Sequence, residues 1–290
     1  MGHAVICGAS IGGLFAAAAL QRAGWTVDVY ERSSVELKGR GAGIVTHPQL
    51  VDALAKVGAD VDELGVKTHE RAAFDTKGEL IAVLPFEQVV TSWDRLHQML
   101  RALVPDGCHH LGRTVTGFRQ GDRPRAHFDD GTSAEGDLLI GADGFLSAIR
   151  AQMLPDVRSE YSGYVVWRAL ADEHLLSADT KTRIFPRFGF FLPTGRQIVG
   201  YPIAGEGNDL RPGHRRYNLV WYTSAERDAL DDMLTDASGN QHKLTIPPPL
   251  IRDDVLGDMR VLAQQKLPAP FVEILAHCKH PFFTPIYDHL

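Results

Sequence analysis

The stretch Val5-Ile-Cys-Gly-Ala-Ser-Ile-Gly-Gly-Leu14, VICGASIGGL, decides how the first part of the chain folds. Ala4 to Cys7 read as a buried strand, because parallel strands covered on both faces give continuous apolar runs. Gly8 to Gly13 make a sharp turn, and LFAAAALQRAG continues as a helix of strong formers with Gly24 placed to end it. TVDVYE then returns as a second, parallel strand ending at Glu31, joined by a right-handed crossover. Gly8, Ser10 and Gly13 occupy the three glycine positions of G-x-G-x-x-G, and Glu31 stands near the spacing of a carboxylate that accepts a ribose hydroxyl. Small side chains let backbone approach a pyrophosphate, whose charge faces the free N–H groups at the helix N-terminus. Ser10 narrows that approach by one hydroxymethyl group without closing it.

Working outward, 290 residues are enough for two domains or one large α/β domain, and 44% hydrophobic with 23% charged residues is ordinary for a globular enzyme. A net charge of −6 argues against nucleic acid as a partner, and RPGHRR (211–216) reads as a solvated turn. Cys7, Cys108 and Cys278 have no framework spacing, which points to a reduced, cytoplasmic setting. No secretory leader is evident, and the apolar helix from Ile11 to Gly24 is too short to span a bilayer, so no membrane partner is expected.

The glycine loop alone leaves the dinucleotide open. Short-chain dehydrogenases carry a similar loop, but they need a tyrosine with lysine four residues later, and none of the seven tyrosines has one. A second motif points elsewhere. HFDDGTSAEGDLLIGADGFLSAIR reads as a strand, an Asp130-Gly131 turn, a short strand and a buried strand Leu138 to Ile140, breaking at GADG into a helix with Ser147 and Arg150. GADGFLSAIR resembles the D-G motif of the single-component FAD-dependent aromatic hydroxylases, the p-hydroxybenzoate hydroxylase-like superfamily. YERS (30–33) and GAGI (41–44) fit the same family, and YSGYVVWRAL, YPIAG, YNLVWY and IPPPLIRDDV resemble its 2,6-dihydroxypyridine hydroxylase-like branch.

That resemblance implies an α/β fold: a Rossmann-like FAD-binding domain with a parallel sheet, interleaved with a mostly antiparallel β-sheet substrate domain. It implies that Gly8, Ser10, Ile11, Gly12 and Gly13 contact the FAD pyrophosphate, that Glu31 and Arg32 hold the ribose and adenine side, that Gly43 and Ile44 line the flavin edge, and that Asp143 reaches the phosphate-ribose region. Where many relatives have a flavin-contacting arginine, this chain has Trp93 in SWDRL; Arg95 lies on another helix face, and Arg40 is the substitute cation considered. The implied reaction is reduction of FAD by NADPH or NADH, followed by transfer of OH to an electron-rich ring from a flavin C4a-hydroperoxide. The partners are then a small aromatic substrate and O2, with room for a homodimer. The protein's part is to hold the ring, exclude water and help deprotonate a ring hydroxyl, for which His47, Tyr201 and Arg168 are the candidates.

The expected division is 1–66 and 97–159 for FAD binding, 67–96 and 160–275 for the substrate sheet, and 276–290 returning to the FAD domain. IPPPL reads as a rigid connector. Among thirteen histidines, CHH (108–110) and HCKH (277–280) lack the matched ligand pairs of a zinc site, so no metal is expected. Relatives continue past a segment like PFFTPIYD into a strand and a G-D motif. Here Gly257-Asp258 falls in VLGDMRVL, read as helix or loop. A second reading therefore stands beside the enzyme: a truncated, non-catalytic fragment of the FAD fold with weak or no flavin binding.

Overall fold

A computed structural model describes residues 2–37 and 42–290. From the N-terminus run β1 (His3–Cys7), α1 (Ile11–Arg22), β2 (Thr26–Glu31), β3 (Gly43–Val45), α2 (Pro48–Val57), β4 (Val66–Phe74), β5 (Leu80–Ser92) and α3 (Trp93–Arg101). Next come β6 (His109–Leu111), β7 (Val115–Arg119), β8 (Arg125–Phe128), β9 (Ser133–Glu135), β10 (Leu138–Gly141) and α4 (Ala148–Met153). The remainder is β11 (Ser159–Asp172), α5 (Ala178–Ile184), β12 (Arg187–Phe191), β13 (Gln197–Ile203), β14 (Arg216–Ser224), α6 (Arg227–Met233), α7 (Asp253–Lys266), α8 (Ala269–His277) and β15 (Phe282–His289). The chain divides into two units. Met1–Gly41, His47–Leu64 and Trp93–Arg158 form the first; Ala42–Thr46, Gly65–Ser92 and Ser159–Leu290 form the second.

The first unit is built on a parallel sheet of order β10-β1-β2-β6. β1 is buried from Ala4 to Cys7, as its unbroken apolar run requires. α1 packs Leu14, Ala17 and Ala18 inward and ends where Gly24 takes a φ of +84°, a left-handed conformation that glycine adopts without a Cβ clash. A three-stranded antiparallel sheet, β7-β8-β9, turns at Asp130-Gly131 with Gly131 at a φ of +80°. One expectation is corrected. Leu138 to Ile140 are half-buried, not buried, because β10 is an edge strand of its sheet and only one neighbour covers it.

The second unit is an eight-stranded sheet of order β15-β11-β14-β13-β12-β4-β5-β3, antiparallel except where β12 runs parallel to β4. Its strands alternate. Val165, Trp167, Ala169, Tyr217, Leu219 and Trp221 point into a core shared with Phe271, Ile274 and Leu275 of α8 and Val255, Met259 and Ala263 of α7. The aromatic members give that core its weight, since fully burying one large apolar side chain stabilises by roughly 1.5–3 kcal/mol. Gly257 and Asp258 lie inside α7. The last strand corrects a second expectation: residues 276–290 do not return to the first unit. Phe283 of β15 is buried against Trp167, and the strand pairs antiparallel with β11. The substrate-sheet segment also stops at Ser92, with Trp93 opening α3 in the first unit.

Candidate functional site

The loop between β1 and α1 is held at both ends by backbone. Gly8 donates its N–H to Tyr30 O at 2.7 Å, and Ala142 donates to Cys7 O at 2.8 Å. Gly8 has a φ of +112°, and a Cβ there would lie 2.1 Å from Ala142 O. A Cβ on Gly13 would lie 1.8 Å from Gly8 O. These two glycines are therefore demanded by the chain itself. Gly12 differs: a Cβ there meets nothing within 4 Å. A glycine inside a helix costs about 0.5–1 kcal/mol relative to alanine, and among the described residues none crowds the Gly12 Cβ position. Ser10 caps α1 in an extended conformation, but its hydroxyl makes no cap hydrogen bond, so the first-turn N–H groups are left for an anion.

Ala9 is clamped from two sides. Its N–H donates to Glu31 Oε2 at 3.0 Å, and its carbonyl accepts from His97 Nε2 at 3.1 Å. Glu31 also accepts from Ser33 N–H at 2.9 Å, and a carboxylate has lone pairs beyond these two. His97 is buried on α3 and stacked on Trp93, with ring centroids 4.7 Å apart. Burial holds its pKa below the ordinary imidazole value, which keeps the ring neutral; Ala9 O only accepts, so Nε2 carries the proton.

Across the loop, Asp143 accepts from Ser147 Oγ at 2.6 Å and from Ile149 N–H at 3.3 Å, while Ser147 caps α4 by accepting from Arg150 N–H at 2.8 Å. The Arg150 guanidinium ties the intervening turn by donating to Gly144 O and Phe145 O. Gly8, Ser10, Glu31, Arg32, Trp93 and Asp143 all line one cleft of the first unit, together with Tyr30 and Arg113. Burial, with a smaller contribution from the Asp143 charge, pushes the Cys7 thiol up to about 12, so it stays protonated beneath the loop. Ile11 opens α1, and Arg32 is exposed at the cleft.

The other candidates separate. His47 is exposed and caps α2 in the first unit, its Nδ1 accepting from Leu50 N–H at 3.3 Å. Tyr201 and Arg168 lie in the second unit, on the sheet face opposite the helices. Tyr201 pairs across strands with Asn218, and Arg168 with Val220, so the four share one face. Tyr201 is 3% exposed and stacked on Phe188, with centroids 4.9 Å apart. Burial pushes its phenol up to about 12, against the opposing pull of the Arg168 cation. Gly43 begins β3 and donates its N–H to Asn218 Oδ1 at 2.9 Å, and Ile44 follows, half-buried. Arg40 and Gly41 lie outside the described residues. Among the described residues, no group of three or more His, Cys, Asp or Glu side chains is placed to hold a metal ion, and no helix is long and apolar enough to cross a membrane.

Residues 161–288 match the family described as FAD binding domain-like. The 2,6-dihydroxypyridine 3-monooxygenase of Paenarthrobacter nicotinovorans is 32% identical over 286 residues, covering 98% of this chain and 71% of that protein. The solved 2,6-dihydroxypyridine-3-hydroxylase of Arthrobacter nicotinovorans superposes with a TM-score of 0.91 at 30% identity, covering 99% of this chain and 72% of that one. This chain belongs to the FAD-dependent aromatic-ring monooxygenases. A further member, the 3-amino-4-hydroxybenzoate 2-monooxygenase of Streptomyces cremeus, is 34% identical over 218 residues, covering 69% of this chain and 53% of its own length.

As a member of these FAD-dependent monooxygenases, the chain presents residues that fit the cofactor. The open space over Gly12, the uncapped first turn of α1 and the buried Glu31 carboxylate are the parts that a pyrophosphate and a ribose need. Sequence reasoning missed His97, since SWDRLHQML shows only an amphipathic helix. It also missed Asn218, although an amide within the apolar strand YNLVWY was the signal that marks it.

Proposed function

We propose that this protein hydroxylates an electron-rich aromatic or N-heteroaromatic ring bearing a hydroxyl group, using FAD, O2 and either NADPH or NADH. The observation that carries the reading is Gly12: a helical glycine whose added Cβ would meet no described residue within 4 Å, at the mouth of an uncapped helix in a chain similar along nearly its whole length to a dihydroxypyridine monooxygenase. Gly8, Ser10, Ile11, Gly12 and Gly13 would hold the pyrophosphate, Glu31 and Arg32 the ribose and adenine side, Gly43 and Ile44 the flavin edge, and Asp143 the phosphate-ribose region. When bound, FAD supplies the redox chemistry that activates oxygen.

The chain's own contribution is positioning and charge. Ala9, clamped by Glu31 and His97, fixes the loop, whose first-turn N–H groups would hold the pyrophosphate. The Arg168 guanidinium favours the ionised form of a ring hydroxyl beside it, and Tyr201, held protonated by burial, donates to a ring oxygen. His47 serves α2 as its cap. The sheet face beside Tyr201 is aromatic and apolar, which keeps water from the ring.

The test begins with the purified chain and its visible spectrum after FAD is added and excess removed. A flavin band, followed by NAD(P)H oxidation that rises with 2,6-dihydroxypyridine and yields a hydroxylated product, is the expected result. A colourless chain overturns the cofactor assignment. Oxidation of NAD(P)H that never yields a hydroxylated ring overturns the monooxygenase assignment.

A further inference from the structure

Trp93 opens α3 directly after Ser92 ends β5, and its side chain is half-buried between two kinds of neighbour. One face of the ring lies on the His97 imidazole, with centroids 4.7 Å apart and planes 15° from parallel. The residue also lines the cleft of the first unit, together with Gly8, Ser10, Glu31 and Asp143. An indole suits such a place, because it carries a large apolar body and one polar atom that only donates.

The stack fixes where that ring stands. His97 donates from Nε2 to Ala9 O at 3.1 Å, and Ala9 precedes Ser10, whose uncapped helix leaves its first-turn N–H groups for an anion. Trp93 is therefore one ring removed from the backbone that would hold a pyrophosphate. Positive charge is scarce there. Among the described residues, Arg32 and Arg113 are the cations that line the cleft, and Arg113 is paired with Asp130. Glu31 and Asp143 add two carboxylates to the same cleft, and burial keeps His97 neutral. A pyrophosphate in this cleft relies on neutral donors, and the indole N–H is of that kind.

We propose that Trp93 is a cofactor-binding residue: its indole N–H donates to a pyrophosphate oxygen of bound FAD, while its ring keeps His97 in place against Ala9 O. The cofactor is thereby gripped at this point by a contact without charge, which salt does not screen. This assignment rests on the FAD reading above.

Three measurements on the chain freed of FAD test it. In the first, the four tryptophans are labelled as 5-fluorotryptophan, and the fluorine resonance absent from Trp93→Phe is that of Trp93. The resonance should shift when FAD is added, and again with ADP, which carries the pyrophosphate without the flavin. A signal that stays still at saturating FAD overturns the assignment. One that answers FAD but not saturating ADP overturns it as well, by moving the contact to the flavin. In the second, Trp93→Phe keeps a ring on His97 and removes the donor. Loss of one neutral hydrogen bond should weaken FAD binding about 3- to 10-fold in a titration, whereas wild-type affinity would mean that the ring serves His97 alone. In the third, Trp93→Arg puts a cation at the same point. It should bind FAD about 3- to 10-fold more tightly than Trp93→Phe at low salt and lose that gain near about 1 M salt, where the screening length is about 3 Å. Equal salt dependence in the two variants would place Trp93 away from the phosphates. If Trp93→Phe does not fold, Trp93→Arg identifies the resonance and the fluorine signal decides. Failure of the wider reading is separate, because the wild-type chain then takes up no flavin colour.

Discussion

The nucleotide loop of the first unit and the buried sheet face around Asn218 in the second solve opposite problems. In the loop, protein groups satisfy one another: Ala9 is bonded through both its N–H and its carbonyl, Asp143 and Ser147 cap α4, and Gly8 and Gly13 are shaped to their own backbone neighbours. On the sheet face, among the described residues, Asn218 Nδ2 has no hydrogen-bond partner and Arg168 makes no ion pair. A group that is completed by the fold builds a binding surface of fixed shape. A buried donor left incomplete instead costs stability, about 1–3 kcal/mol.

The strongest way to break this comparison is at Gly13. Gly13→Val drives a side chain into Gly8 O, a rigid backbone atom, and should cost about 3 kcal/mol or more and abolish FAD retention. A thermal melt and a flavin spectrum measure both; an unchanged melting temperature would mean that the loop relaxes without strain. Gly12→Ala separates fold from ligand more finely. Free space and a helical backbone predict a gain of about 0.5–1 kcal/mol in the FAD-free protein, together with weaker FAD binding. A variant that gains stability and keeps its FAD affinity would show that Gly12 faces no cofactor.

The sheet face answers to pH. The Tyr201 phenol is raised by burial to about 12 from an ordinary value of 10. The protonated form is therefore favoured by the fold. Its contribution is complete below pH 10 and is lost as pH rises through about 12. Two pKa units correspond to roughly 2–3 kcal/mol. Tyr201→Phe should flatten the alkaline fall in stability between pH 10 and 12, read from denaturant midpoints; an identical slope would place the ionising group elsewhere. The smallest effect belongs to His47. His47→Ala removes the N-cap of α2 and should lower stability by about 0.5–1 kcal/mol in a thermal melt. A loss of turnover larger than this loss of stability would return His47 to ring deprotonation.

What the residues disclosed in advance follows the same division. The loop, the helix it opens, the second strand and the Asp130-Gly131 turn are local in sequence, so short-range pattern and turn chemistry determine them. The second unit's strands were also readable one by one. Their partners were not: β15 reads as well for one sheet as for another until its alternation meets Trp167 and the other residues of β11. His97 and Asn218 escaped for a related reason. Each acts through a contact with a residue remote in sequence, Ala9 and Gly43, and a helix or strand pattern records only which face a residue occupies.

One feature of the first unit bears on how the protein comes to exist. β1 lies between β2 and β10, and the carbonyl of Cys7 is bonded by Ala142. The nucleotide loop near the start of the chain therefore waits for a segment synthesised much later, and contacts so distant in sequence close slowly. Pulse-labelled amide exchange during refolding should find Gly8, bonded to the nearby Tyr30, protected before Ala142; simultaneous protection would point to a sheet that forms in one step. On a ribosome, the earliest residues to emerge would be among the last to reach their final form.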